Sequence, residues 1–339
     1  MAQMDNTPVL TIAVPIYNME GCLAKNLATY DDPRLVDRLE VICLNNASED
    51  GSKAIIEKYV DARPEIFRLV DRPSRGYGSS INAALAAATG GYFRIVDADD
   101  WVNTEELVKL TSALETCEAD VVLTDYQIVD MQTEGMTPVR AGDKGAPYGE
   151  LLTDCRWPGV TLPSIHNTTY RTGLLRESGF EMPDQRFFVD EQYVIIPYLQ
   201  ANSIIYYPYD VYRYQVANPE QSTSPKNRAK YLSHREENLK DILEAYKRYR
   251  REEPDNTALP YCRNRLLRGV GDHFTTLNIY VEDRKSARTQ ASAWRDYLRE
   301  NAPELWKGVR RKALILGMAN RFGISLPTYL RLKSRLVKE

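Results

Sequence analysis

The sequence predicts a doubly wound α/β sheet followed by a helical region. Over about the first 125 residues, short apolar and β-branched runs alternate with helical segments of roughly 10–15 residues, the pattern of parallel strands joined by helices. The runs are nearly continuous, as expected for strands that are buried on both faces. Beyond Pro225 the chain becomes charged and helical. We therefore predict an α/β domain over residues 1–225 and a helical C-terminal domain over 226–339.

The individual elements follow from these patterns in chain order. Strands are predicted where β-branched and apolar residues run together, and helices where apolar residues recur at helical spacing. The first part contains strand 9–14, helix 20–30, strand 39–44, helix 53–62, strand 67–70, helix 80–88, strand 92–97, helix 104–117 and strand 119–124. After a Gly- and Pro-rich crossover over 125–167 come helix 168–178, strands 203–207 and 211–215, and helices 226–252, 259–280 and 286–300.

The composition excludes several classes of protein. The 339-residue chain has a net charge of −3, which argues against a nucleic-acid binder. Its five scattered cysteines form no CxxC pair, so neither a disulfide framework nor a zinc site is expected. The N-terminus lacks a signal-peptide core, and no apolar run reaches the roughly 18–20 residues of a membrane span. We expect a cytoplasmic protein.

Polar residues follow three predicted strands where those strands end. Tyr17 comes after the first strand, Asn46 after the second, and Asp97 and Asp99 after the fourth. Ligands of doubly wound sheets bind beyond the carboxyl ends of the strands. The pattern therefore predicts one binding site at this edge of the sheet.

The densest of these clusters is the acidic stretch at residues 97–100. Three like charges so close together cost stability unless a cation neutralises them. In an extended chain alternate side chains share a face, so Asp97 and Asp99 could approach one ion. Oxygen ligands of this kind suit Mg²⁺ or Mn²⁺. A solvated acidic turn, or a cap for the following helix, is the alternative interpretation.

Four motifs together resemble the family 2 glycosyltransferases, which have the GT-A fold. They are residues 11–18 (TIAVPIYN), 45–52 (NNASEDGS), 75–82 (RGYGSSIN) and 97–100 (DADD). Their order and spacing match over about residues 9–125. A weaker match continues through Asp190 and the strand around Arg213, a pattern seen in bacterial cell-surface polysaccharide transferases.

The resemblance implies a nucleotide-binding role for several positions. Pro15 and Tyr17 would hold the base, with the tyrosine ring stacked on it. Asn46 stands where most members have an aspartate that accepts the uracil N3 hydrogen bond; an amide oxygen can also accept it, so UDP is the expected nucleotide. Asn46 could also contact a different base, or be part of a simple turn. Arg75 and Gly76 would lie beside the phosphates.

The resemblance also implies the metal ligands. Asp97 and Asp99 match the family's DxD element, with Asp99 as the direct ligand of Mg²⁺ or Mn²⁺ and Asp97 closer to the ribose or to metal-bound water. The metal would neutralise the departing diphosphate.

The expected catalytic base is an aspartate in the segment 189–193 (VDEQY), where Asp190 aligns best. Glu191 could take that role instead, and Asp190 could merely cap a helix. His166, Glu191 and Arg213 are candidates for acceptor or phosphate contacts; His166 could equally be a loop histidine with a structural role.

These assignments predict an inverting transfer of a sugar from a nucleotide-diphosphate donor to a hydroxyl of a glycan or lipid-linked acceptor. A nucleotidyltransferase or a dinucleotide oxidoreductase would need a Gly-rich loop after the first strand, where this chain has residues 15–18 (PIYN). A non-catalytic nucleotide-sugar-binding scaffold of the same fold is the alternative, because Asn46 departs from the family pattern.

The C-terminal stretch 305–339 is basic and apolar together. It contains nine Lys and Arg residues but only one acidic residue, Glu339, and large apolar residues lie between the basic ones. Such a composition is typical of a helix at an anionic lipid surface, so peripheral contact with the inner face of the membrane is expected. A helical cap packed on the acidic remainder of the chain is the alternative.

Overall fold

A computed structural model of the chain describes residues 7–73, 76–142, 146–155, 163–216 and 224–336. Residues 333–336 are described by their backbone only. The chain divides into two compact units, Met1–Asn218 and Pro219–Glu339.

The first unit is built around one mixed sheet. In the described residues its strands are β1 (Leu10–Ile16), β2 (Leu39–Asn46), β3 (Phe67–Arg72), β4 (Tyr92–Ile95), β5 (Trp101–Val102), β6 (Val121–Asp130), β7 (Met136–Val139), β8 (Thr168–Arg171) and β9 (Ile204–Val216). The strand order is β3-β2-β1-β4-β8-β6-β9-β5, and β7 pairs with β6. β1 pairs in parallel with β2 and β4, and β2 with β3. β8 is antiparallel to both of its neighbours.

Helices connect the parallel strands as the sequence pattern predicts. Those described in the first unit are α1 (Leu23–Ala28), α2 (Ser52–Ala62), α3 (Tyr77–Ala87), α4 (Thr104–Leu114), α5 (Thr172–Glu177) and α6 (Asp190–Tyr193). β1 and β2 are buried along their whole length, because helices of a doubly wound sheet cover both faces.

Three of the predicted elements are wrong. Residues 168–178, predicted as one helix, begin with β8 and become helical only from Thr172. The β-branched pair Thr168 and Thr169 suits a strand, and β8 fills the position between β4 and β6. The two strands predicted at 203–207 and 211–215 are one strand, β9, whose pairing with β6 is interrupted by register shifts around Asp125.

The second unit is helical. The described helices are α7 (Pro225–Lys230), α8 (Leu232–Glu252), α9 (Leu259–Thr275) with a π-helical turn (Thr276–Tyr280), α10 (Arg284–Asn301), α11 (Pro303–Arg321) and α12 (Leu326–Leu336). Buried side chains from α8, α9 and α10, among them Leu239, Phe274 and Trp294, form its interior. Among the described residues, no helix has the length and apolar character that a membrane span requires.

Candidate functional site

The ends of three neighbouring strands lie together. β1 lies between β2 and β4, and Ile16 pairs with Asn45, so the residues that follow β1 and β2 are adjacent. Val96 continues from β4 by donating its amide hydrogen to the Ala13 carbonyl. Tyr17, Asn46 and Asp97 therefore lie at the same edge of the sheet.

The acidic stretch forms a tight turn instead of an extended chain. The amide of Asp100 donates to the carbonyl of Asp97 at 3.0 Å, which closes a turn over four residues. Asn26 on α1 is fully buried and donates its side-chain amide to the carbonyls of both Asp97 and Asp100. Because a turn of this kind brings its first and fourth residues together, Asp97 and Asp100 approach each other.

Asp100 is fixed from β9. The Tyr212 hydroxyl donates to Asp100 Oδ2 at 2.6 Å, and the Gln215 amide donates to Asp100 Oδ1 at 2.7 Å. The Tyr212 hydroxyl also accepts from the amide of Asp97 at 3.2 Å. One tyrosine therefore holds both ends of the acidic turn.

This arrangement predicts a stability cost for Tyr212→Phe. The substitution leaves a buried Asp100 oxygen and the Asp97 amide without their tyrosine partner, so the free energy of unfolding should fall by about 1–3 kcal/mol. Urea denaturation measures the change. Tyr209→Phe on the same strand is the matched control, because the Tyr209 ring stacks on Tyr207 and keeps that contact. An equal loss in both variants would contradict the role given to Tyr212.

The carboxylates are electrostatically strained. Burial, together with the charge of Asp99, raises the pKa of Asp97 to about 7. Burial and the charges of Asp99 and Asp97 also raise the pKa of Asp100 well above its usual value. Burial raises the pKa of Asp99 itself. Holding all three groups ionised requires a positive charge nearby.

His166 completes a group that could bind a metal ion. Ligand atoms of Asp97, Asp100 and His166 lie within 4.8 Å of one another. The His166 ring stacks on Tyr214 with a centroid distance of 3.9 Å and packs edge-on against Tyr212 at 5.0 Å. Its Nδ1 atom is buried and has no hydrogen-bond partner among the described residues.

A buried arginine lies beneath this histidine. Arg94 is fully buried, donates to the hydroxyls of Thr124 and Thr169, and donates to the carbonyl of His166. Burial, and the Arg94 charge, lower the pKa of His166 to about 3, so the imidazole is neutral and able to bind a metal.

These residues fit a divalent cation. The site offers crowded carboxylates whose pKa values are raised and a neutral imidazole with a nitrogen that lacks a partner. Oxygen and imidazole ligands together suit Mn²⁺, and carboxylates suit Mg²⁺ as well. Asp99, one of the two ligands that the resemblance implies, is not a member of the group of three, although its charge acts on both aspartates.

The N-terminus of α3 faces the same edge. Tyr77, its first residue, donates its hydroxyl hydrogen to Asp97 Oδ1 at 2.8 Å. Ser80 donates its hydroxyl hydrogen to Asn46 Oδ1. Gly78 lies where a Cβ atom would be 2.0 Å from the Pro183 carbonyl oxygen, so only glycine allows this close approach. Backbone amides at a helix N-terminus are favourable partners for phosphate.

Asp190 lies near this cluster. It is the first residue of α6 and is exposed, with Val189 in the capping position. Burial is the main cause of the raised pKa values of Tyr77 and Asp97, and the charge of Asp190 raises both further, which indicates that its carboxylate lies near them. Tyr193 anchors the helix, since its carbonyl accepts from the Tyr170 hydroxyl at 3.0 Å. The structure thus brings Asp190 to the carboxylate cluster from a distant part of the chain.

The other site residues predicted from the sequence lie at several different places in the fold. Arg213 follows Tyr212 in β9, so its side chain leaves the opposite face of the strand, and its guanidinium pairs with Asp210 at 2.8 Å. Pro15 is buried within β1, and Glu191 is half-buried beside Asp190. Gly76 directly precedes α3. Arg75 lies outside the described residues, and its phosphate contact stays a prediction.

Four residues of the site were missed by the sequence analysis: Asn26, Tyr77, Arg94 and Tyr212. Arg94 carried a signal, because a charged residue within an apolar strand must find buried partners. Tyr77 stands in the recognised 75–82 motif, whereas Asn26 gives no local signal. These residues act through contacts that join distant segments.

The fold of the first unit, with its acidic turn at the carboxyl edge of the sheet, is the GT-A fold. The crystal structure of S. aureus TarS 1-349 in complex with UDP-GlcNAc matches with a TM-score of 0.55 and 19% identity, covering 93% of this chain and 92% of that chain. The predicted fold class is therefore confirmed.

The family follows from the sequence comparisons. The model of glycosyl transferase family 2 matches residues 11–179, so these residues form a domain of that family. Relatives include the poly(ribitol-phosphate) β-N-acetylglucosaminyltransferase TarS of Staphylococcus aureus, 27% identical over 198 residues, or 57% of this chain. The glycosyltransferase EpsJ of Bacillus subtilis is 32% identical over 117 residues, or 34% of this chain. The matches span about a third (33%) of the length of these relatives.

Proposed function

We propose that the protein transfers a sugar, with inversion, from a UDP-sugar to a hydroxyl group of a glycan or lipid-linked acceptor. The observation that carries the proposal is the convergence of Tyr17, Asn46, Asp97 and Asp190 at the carboxyl edge of one sheet. The glycosyl transferase family 2 domain over residues 11–179 supports the reaction class.

Asp190 is proposed as the general base. Its carboxylate is exposed and near Asp97, so an acceptor hydroxyl can reach it from solvent. The carboxylate takes the hydroxyl proton while the acceptor oxygen forms a bond to the anomeric carbon. The bond from that carbon to the diphosphate oxygen breaks, and its electron pair leaves with UDP. A single displacement inverts the anomeric centre and needs no carboxylate nucleophile.

The opposite side of the site would stabilise the leaving group. A divalent ion would be held by Asp97 together with Asp99, the ligand that the family motif implies. Asp100 and His166 lie close to Asp97 and could contribute as well. Such an ion supplies Lewis-acid stabilisation of the diphosphate charge. The backbone at the start of α3, with Gly76 next to it, would bind phosphate oxygens, and Tyr77 would orient Asp97 through its hydrogen bond.

The base-binding part of the site supports uracil as the nucleobase. Asn46 is buried, and its side-chain oxygen already accepts a hydrogen bond from Ser80. A carbonyl oxygen has two lone pairs, so the same oxygen can also accept from uracil N3. The solved TarS complex contains UDP-GlcNAc, which makes this compound the first donor to test.

A thermal-shift screen tests donor binding. We expect UDP and UDP-GlcNAc, but not GDP, to stabilise the protein, and only when Mn²⁺ is present. At a ligand concentration of a hundred times the Kd, the free energy of unfolding should rise by about 2.7 kcal/mol. This corresponds to a rise in Tm of roughly 5–10 °C for a domain of this size. Stabilisation by GDP alone would contradict the assignment of Asn46 to uracil.

Turnover separates an enzyme from a scaffold. We expect UDP release from at least one UDP-sugar when a glycan or lipid-linked acceptor is added with Mn²⁺. A protein that binds UDP-sugars but releases no UDP with any donor and acceptor would be the non-catalytic scaffold.

A further inference from the structure

The second unit carries an exposed surface that the proposed reaction does not use. Leu314 and Met318 on α11, and Phe322 directly after its last residue, are spaced by four residues and so lie on one side of the helix. Leu314 is 65% exposed and Phe322 is 79% exposed. The opposite face of the helix, with Leu305, Val309 and Leu316, is buried. The helix is thus packed on one side and apolar on its solvent side.

Further exposed apolar residues lie on α11 and α12. Ile315 and Met318 are more than half exposed, and on α12 Leu330 and Leu332 are exposed as well. Gly323, with a φ of +74°, lies between the two helices, a conformation that glycine adopts without strain. We call the exposed residues Leu314, Ile315, Met318 and Phe322 the apolar face; Leu330 and Leu332 are two positions apart on α12, lie on different sides of that helix and are not part of it.

Basic residues surround the apolar face. Residues 303–336 contain eight Lys and Arg but one acid, Glu304. Lys307, Arg310 and Arg311 are exposed on the preceding turns of α11, Arg321 is exposed directly before Phe322, and Arg331 is exposed on α12. Of the chain's 44 basic and 47 acidic residues, 26 and 15 lie in Pro219–Glu339, so the positive charge is concentrated in this unit.

We propose that α11 and α12 bind the surface of an anionic lipid bilayer, with the apolar face inserted among the acyl chains and the surrounding Lys and Arg side chains on the headgroups. An apolar face bordered by basic residues is complementary to such a surface in both polarity and charge. The proposal extends beyond glycosyl transfer and does not depend on it.

Two other partners fit this surface less well. A soluble polyanion would bind the basic residues but leave Leu314, Met318 and Phe322 in water. A second copy of the chain, related by two-fold symmetry, would bring the same basic residues of both copies together, and like charges across an interface cost binding energy.

Vesicle co-sedimentation of the full chain tests the proposal. The vesicles contain phosphatidylcholine alone or a mixture with phosphatidylglycerol, and no donor or acceptor is added. We expect binding to the mixed vesicles and not to phosphatidylcholine alone. Binding should weaken as salt is raised, because salt screens the headgroup charge. Failure here would leave the UDP-sugar experiments unaffected, so the two proposals are tested separately.

Two variants separate the apolar and basic contributions. Replacing Leu314, Met318 and Phe322 together by serine should weaken binding at least about tenfold, because the inserted side chains are lost. Arg310→Gln with Arg311→Gln should weaken it by about tenfold or more on mixed vesicles. Arg248→Gln with Arg299→Gln, which removes the same charge from exposed positions on α8 and α10, should have a much smaller effect.

Three results would overturn the proposal. The first is no binding to mixed vesicles by the unaltered protein. The second is vesicle binding that the triple serine variant retains and that polyphosphate abolishes, which would identify a soluble polyanion as the partner. The third is an oligomer, seen by light scattering, that binds no vesicles and that the triple serine variant dissociates, which would identify a second copy. Circular dichroism shows whether each variant is folded.

Discussion

Asp190→Asn is expected to lower the rate of sugar transfer by about 10²–10⁴-fold while UDP binding stays nearly unchanged. The amide keeps the size of the side chain but cannot take the proton of the acceptor hydroxyl. Asp190 is exposed at the start of α6, and Tyr193 holds the helix on β8, so the fold should not change. Steady-state UDP release and calorimetric UDP binding give the two quantities.

Glu191→Gln is the matched control for this experiment. The two carboxylates are adjacent, but Asp190 is the one whose charge acts on Tyr77 and Asp97. A small effect of Glu191→Gln beside a large effect of Asp190→Asn supports Asp190 as the base. A larger loss in Glu191→Gln would assign the base to Glu191. Equal losses of binding and turnover in Asp190→Asn would show that Asp190 binds the donor instead.

Asp97→Asn is expected to lower kcat/KM by at least about a hundredfold and to weaken Mn²⁺ binding strongly. Asp97 belongs to the DxD element and also to the group with Asp100 and His166. The amide oxygen can still accept the hydrogen bond from Tyr77, and one of three crowded negative charges is removed. The metal-free variant should therefore be at least as stable as the unaltered protein.

Calorimetry measures the loss of Mn²⁺ binding in Asp97→Asn, and urea denaturation without metal measures the stability of this variant. Asp99→Asn and Asp100→Asn identify the second carboxylate ligand, since Asp99 follows from the family motif and Asp100 from the geometry of the turn. Unchanged Mn²⁺ binding in Asp97→Asn would disprove the proposed metal site. A large fall in stability would assign Asp97 a structural role instead.

Much of the fold and part of the site could be predicted from the sequence. The apolar runs of β1 and β2 predict buried parallel strands, and parallel strands place their carboxyl ends at one edge. This reasoning was enough to bring Tyr17, Asn46 and Asp97 together. The prediction failed for β8, because a four-residue strand carries little sequence signal and owes its place to pairing with β4 and β6.

The arrangement within the site was decided by the tertiary structure. An extended chain would pair Asp97 with Asp99, but the turn to which Asn26 donates its side-chain amide brings Asp97 to Asp100. Tyr212 reaches that turn from 112 residues away along the chain, and its side chain cannot be placed without the register of β9.

The sequence by itself determined which edge of the sheet carries the chemistry, because strand direction follows from local hydrophobic patterns and from the helical connections between strands. Only the tertiary structure decided which carboxylates meet and which side chains hold them. Those contacts join segments far apart in the chain, and their directions depend on turns and strand registers that no local pattern encodes.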